Sequence, residues 1–142
     1  MMNIDNIYKI IIADDQGIIR ESVKFIVKPK RHIEIEREAH SYSKLCSLLE
    51  EKEYDLLILD LNLGDKDGIH SVREISKRYE DLPILVLSMY PEDPYALQSI
   101  RSGAFGYLNK RTLQKDLLNA INTILKGNIY IHPSYISNLP KS

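Results

Sequence analysis

Short apolar runs alternate with helical periodicity along the whole chain. Lys9 to Asp14 (KIIIAD), Leu56 to Asp60 (LLILD) and Ile84 to Ser88 (ILVLS) are unbroken apolar stretches, each closing on a polar residue. Runs this short and this continuous predict strands covered on both faces. His32 to Ala39 (HIEIEREA) alternates apolar with charged residues and predicts an edge strand, and Phe105 to Lys110 (FGYLNK) predicts a short one. Between them lie helical stripes: Ile19, Val23, Ile26 and Val27, ending near Pro29; Leu45, Leu48 and Leu49; Ile69, Val72, Ile75 and Tyr79; and Ala96, Leu97 and Ile100, ending at Ser102-Gly103. The most regular stripe is the last, Leu113, Leu117, Ala120, Ile121, Ile124 and Leu125, stopped by Gly127. Strand and helix alternate throughout, which predicts an α/β fold, doubly wound around a five-stranded parallel sheet. Residues 1–127 form the expected domain. Asn128 to Ser142 has no lasting periodicity and is expected to be a packed extension or the start of a linker.

Composition narrows the possibilities. A chain of 142 residues buries a substantial core as one domain without disulfide or structural metal. A net charge of -1 provides no basic field, which argues against nucleic acid or a membrane surface as a direct partner. The single cysteine, Cys46, lies in a leucine-rich helical pattern and reads as a reduced core residue. No apolar run approaches membrane-spanning length and the first residues lack a signal-peptide core, so a cytoplasmic protein is expected.

The chemistry lies at the strand ends. In open parallel sheets, ligands bind outside the carboxyl ends of the strands where strand order reverses. Those ends carry Asp14 and Asp15, Asp60, Ser88 and Lys110. With strand order 2-1-3-4-5 the three carboxylates share one crevice, with Ser88 and Lys110 beside it. Carboxylates this close repel, and a divalent cation relieves them. Magnesium suits such a site, because it takes one or two carboxylates together with waters and a phosphate oxygen. A carboxylate beside it can attack a phosphoryl group, with the lysine neutralising charge on the transferring oxygens.

These residues resemble the receiver domains of two-component response regulators, over roughly Tyr8 to Gly127. The resemblance is carried by IIADDQ, LLILDLNLGDKDG, ILVLSMYPED and GAFGYLNK. It implies a flavodoxin-like three-layer sandwich, with Asp60 as phosphoacceptor and Asp14 and Asp15 as the acidic pair that holds Mg2+. It further implies that the Asn62 backbone carbonyl serves the ion, that Ser88 is the switch hydroxyl, that Lys110 contacts the phosphate and that Tyr107 changes rotamer. LSMYPEDPYALQSIRSGAFGYLNK is similar to the LuxR-type transcriptional branch. Two departures stand out: Gly64 occupies a place where the family often has proline, and nothing after Gly127 resembles a helix-turn-helix domain. The chain is then either a receiver cut at its linker or a stand-alone receiver acting through protein contact.

Each residue also has a plainer explanation. Asp14-Asp15 would cap a helix starting near Gly17, and Asp60 would be a turn residue. Ser88 and Lys110 would be ordinary surface groups, and Tyr107 would be core. These explanations must coincide at four strand ends, which favours the joint reading. Asp65, Asp67, Gly68 and Glu74 match positions of a calcium-binding loop, but its first position would be the apolar Leu63. An aspartate-nucleophile phosphatase would place a second acid where Asn62 stands. His32, His40, His70 and His132 lack metal-ligand spacing. The expectation is therefore a phosphorylation-switched signalling domain with no metabolic product. A sensor histidine kinase would serve it, homodimers would form through the first and last helices, and this chain itself would not bind DNA.

Overall fold

The computed structural model describes residues 6–64 and 67–137. Five strands, β1 (Tyr8–Ala13), β2 (Ile33–Ala39), β3 (Leu56–Asp60), β4 (Ile84–Ser88) and β5 (Gly106–Asn109), alternate with α1 (Gly17–Val27), α2 (Tyr42–Glu51), α3 (Gly68–Arg78), α4 (Glu92–Arg101) and α5 (Leu113–Leu125). A short 3-10 turn, Lys110–Thr112, precedes α5, and a short helix α6 (Pro133–Ser137) follows it. The sheet order is β2-β1-β3-β4-β5, all parallel. This is the doubly wound, flavodoxin-like order.

Alternation within the inner strands builds two separate cores. Ile11, Ala13, Leu57, Leu59, Ile84, Val86 and Tyr107 face α2, α3 and α4. Ile10, Ile12, Leu56, Ile58, Leu85, Leu87 and Leu108 face α1 and α5, meeting Val23, Leu117, Ala120 and Ile121. Both faces are dry, so β1, β3 and β4 carry unbroken apolar runs, Ile10 to Ala13, Leu56 to Leu59 and Ile84 to Leu87, which end only where the helices no longer cover them. At β2 the sheet stops, and its charged residues pair outward: Glu38 with Arg20 and Lys24, and Glu36 with Lys52.

Register brings the acids together. Ala13 pairs with Leu59 and Asp60 with Leu87, so the residue after β1, Asp14, falls in the same row as Asp60. The loop from β3 into α3 is held close to the sheet: a Cβ at Gly68 would lie 1.8 Å from the Leu61 carbonyl oxygen, so only glycine fits there.

Three local expectations need correction. Tyr79 is the C-cap of α3 rather than part of it. The buried residues of α4 are Ala96 and Ser99; Leu97 and Ile100 are half-buried, because the helix sits at the sheet's flank and Ser99 satisfies its hydroxyl on the Tyr95 carbonyl. Cys46 is a free thiol, half-buried rather than in the core.

Beyond Gly127 the chain returns to the sheet. Tyr130 forms a parallel bridge with Gly106, accepting from Tyr107 N at 3.0 Å and donating to Phe105 O at 2.8 Å. Ile131 and Tyr135 pack on the α4 side, and His132 lies 3.7 Å from the buried Asp116 of α5. The outer edge of β5 is therefore covered.

Candidate functional site

Asp14, Asp15 and Asp60 each offer a carboxylate oxygen, and these oxygens all lie within 4.8 Å of one another. Asp14 is 0% and Asp60 3% exposed, whereas Asp15 faces solvent. Lys110, also buried, reaches in from the turn after β5: its Nζ is 3.0 Å from Asp14 Oδ2, 3.3 Å from Asp60 Oδ1 and 2.8 Å from Gln16 Oε1. Backbone amides orient the acids, with Gln16 N donating to Asp14 Oδ1 at 2.8 Å and Asn62 N to Asp60 Oδ1 at 3.0 Å. Arg20 Nη1 donates to the Asp14 carbonyl at 2.6 Å and fixes the start of the loop.

The charges do not balance. Three carboxylates face one ammonium. Burial pushes the Asp14 carboxyl above the ordinary carboxylate range and Asp60 adds to the rise, while the Gln16 N–H and the Lys110 ammonium pull it back. Among the described residues, Asp14 Oδ2 has no hydrogen-bond donor, its contact with Lys110 being an ion pair without hydrogen-bond geometry. A buried anionic oxygen without a donor, set among further carboxylates, is compatible with a divalent cation such as magnesium.

Ser88 and Tyr107 form a second, neutral cluster. The Ser88 Oγ accepts from Tyr90 N at 2.9 Å, and the inward-facing Tyr107 hydroxyl donates to Tyr90 O at 2.6 Å. Asn109 Nδ2 donates to the same carbonyl at 3.2 Å, and the Tyr90 ring stacks on Tyr95 with centroids 4.6 Å apart. Burial pushes the Tyr107 phenol up to about 12. Among the described residues, no hydrogen bond joins this cluster to the carboxylates. Gln16, Arg20, Tyr90 and Asn109 are site residues the sequence reading left out. The signal for three of them was adjacency, Gln16 directly after the acid pair, Tyr90 two residues after Ser88 and Asn109 directly before Lys110, while Arg20 lies six residues from Asp14.

The calcium-loop match dissolves locally. Asp65 lies outside the described residues. Asp67 is the N-cap of α3, accepting from Ile69 N and His70 N, and Glu74 lies on α3, where it accepts from Tyr42.

Comparison with known proteins agrees with this geometry. The chain matches the response regulator receiver domain family over residues 10–122. It is 31% identical over 137 residues to the transcriptional regulatory protein DegU of Brevibacillus brevis, covering 96% of this chain and 58% of that protein. It is 29% identical over 132 residues to the oxygen regulatory protein NreC of Staphylococcus carnosus, covering 92% and 61%. The chain thus spans about three-fifths of the length of these relatives. Among solved structures it resembles a LuxR-family two-component response regulator from Aurantimonas sp. SI85-9A1, with TM-score 0.85, 26% identity, and 93% and 94% of the two chains covered. It also resembles the isolated receiver domain of RcsB from Salmonella enterica serovar Typhimurium in the presence of a phosphomimetic, with TM-score 0.86, 25% identity, and 95% and 100% covered.

Proposed function

Because this chain belongs to the response regulator receiver domain family, on its LuxR-type side, we propose that Asp60 is the phosphoacceptor of a two-component signalling pathway. The observation that carries the reading is the placement of the Lys110 ammonium between the buried carboxylates of Asp14 and Asp60, 3.0 and 3.3 Å away. Asp14, Asp15 and Asp60, with the Asn62 backbone carbonyl, would hold Mg2+, which when bound neutralises charge on the transferring oxygens. An Asp60 carboxylate oxygen attacks phosphorus, and the bond from phosphorus to the donor breaks, its electron pair leaving with the donor. From a histidine kinase the leaving group is the imidazole of the phosphohistidine. Lys110 then meets a phosphoryl oxygen in place of a carboxylate.

Ser88 and Tyr107 are the switch. A phosphoryl oxygen at Asp60 accepts from the Ser88 hydroxyl, draws its Oγ away from Tyr90 N and so biases a rearrangement of the β4–α4 loop, whose Tyr90 carbonyl Tyr107 holds. The chain is a signalling domain, not a classical enzyme. Residues 1–127 act as the receiver and 128–142 as its extension toward an output, transcription through a DNA-binding domain outside this sequence. Among the described residues no helix is long and apolar enough to cross a membrane, consistent with a cytoplasmic site of action. Ile18 and Phe25, 73% and 74% exposed on α1 beside α5, support homodimerisation through these helices.

The test is acetyl phosphate with magnesium, read by intact mass. The chain gains one phosphoryl group and Asp60→Asn gains none. Equal labelling of Asp60→Asn refutes the assignment.

A further inference from the structure

We propose that Gln16 is the positioning residue for Lys110, keeping its ammonium in the site while its carboxylate partners are exchanged; this rests on the phosphoacceptor reading above and deepens it. Two independent observations carry it. Gln16 Oε1 accepts from Lys110 Nζ at 2.8 Å across 94 residues of chain, closer than either carboxylate oxygen at 3.0 and 3.3 Å. Gln16 also occupies the N-cap of α1, yet its side chain makes no capping hydrogen bond. Ser, Thr, Asp or Asn at that place would satisfy a first-turn N–H. The α3 N-terminus, which borders the same loops, has such a cap in Asp67. At α1 the cap is forgone and the longer side chain reaches Lys110 instead.

The chemistry explains the choice. An ammonium has three N–H donors, and here it faces three oxygens. Two of them belong to Asp14 and Asp60, the residues whose oxygens a divalent cation would take. Once those are committed, Gln16 is the neutral partner left to Lys110 among the described residues. A carboxamide oxygen holds the ammonium without adding a fourth carboxylate, and it competes weakly with an arriving phosphoryl oxygen. The Gln16 backbone N–H meanwhile donates to Asp14 Oδ1, so one residue orients both an acid and the lysine.

The experiment is a double-mutant cycle on the labelling rate of the full chain with acetyl phosphate and magnesium. Gln16→Ala slows labelling about 5-fold, on the order of a charge-assisted hydrogen bond weakened by exposure to water. In a Lys110→Ala background the same change has no further effect. Gln16→Asn separates the role from helix capping: its short amide caps α1 and raises the unfolding midpoint, but it cannot reach Lys110, and labelling slows. Magnesium affinity, followed by the NMR shift of the Asn62 amide, stays unchanged in Gln16→Ala. Exchange of the Lys110 ammonium protons with water, read by NMR, accelerates in Gln16→Ala and gives the answer even if Lys110→Ala labels too slowly to measure. Equal slowing in both backgrounds, or unchanged labelling and ammonium exchange in Gln16→Ala, overturns the role of Gln16 and leaves Asp60 as acceptor. Failure of the unmutated chain to label overturns both.

Discussion

Two polar clusters sit at the same end of the sheet, and they are built on opposite terms. Around Asp60, buried charges are left unbalanced, with Asp14 raised above its ordinary range and one of its oxygens lacking a donor among the described residues. Around Tyr107, 1% exposed, the groups are neutral and the hydroxyls of Ser88 and Tyr107 are bonded to Tyr90. The first cluster is unbalanced in a way that the proposed cation and phosphoryl group would relieve. The second is complete and rearranges only when one of its partners is drawn away. On the proposed function, receiving a signal and reporting it fall to chemically different neighbours.

The contrast can be broken most forcefully at Lys110. Lys110→Ala leaves Asp14 and Asp60 buried without their cation and should destabilise the chain by about 3 kcal/mol in urea unfolding without magnesium. Added magnesium should restore much of that loss. No recovery would mean that the acids do not act as a cation site.

At Tyr107 the dependence runs the other way, toward alkali. Its phenol, like that of Tyr130, is pushed up to about 12 from an ordinary 10.0, chiefly by burial. The stability this reflects is fully present below pH 10 and is lost as pH rises toward 12, because the unfolded chain ionises first. Each tyrosine contributes about 2 kcal/mol to that loss. Tyr107→Phe should flatten the alkaline limb of a stability-against-pH curve while leaving labelling of Asp60 within about 2-fold, in line with a neutral hydrogen bond remote from the carboxylates.

The smallest effect has an unusual sign. Asp14 has a folded pKa above its ordinary 3.8, so its ionisation costs stability as pH rises through that folded value. Asp14→Asn should therefore stabilise the magnesium-free chain at neutral pH by about 1 kcal/mol and abolish most of the gain that magnesium gives. Destabilisation at neutral pH would show that the charge of Asp14 is already compensated by Lys110 alone.

Much of this architecture was legible because it is written in short-range pattern. β1, β3 and β4 are apolar at successive positions because both faces are covered, and the residue that ends each run is the residue at the sheet's edge. Asp14, Asp15, Asp60 and Lys110 could be placed together from strand order alone, since register converts sequence position into proximity. What escaped depends on single long-range contacts. The Gln16–Lys110 bond spans 94 residues and has no periodicity to reveal it. Tyr130 joins the sheet through one bridge, too short to produce alternation. α4 conceals its buried face because Ser99, a polar residue, bonds back to its own helix.

The most direct test of the account is to locate the phosphoryl group rather than merely count it. After reaction with acetyl phosphate and magnesium, borohydride reduction of the acyl phosphate and peptide mass mapping should convert Asp60 alone to homoserine, leaving Asp14 and Asp15 unchanged. Conversion at Asp14 or Asp15, or at no aspartate, would contradict the claim that Asp60 receives the phosphoryl group.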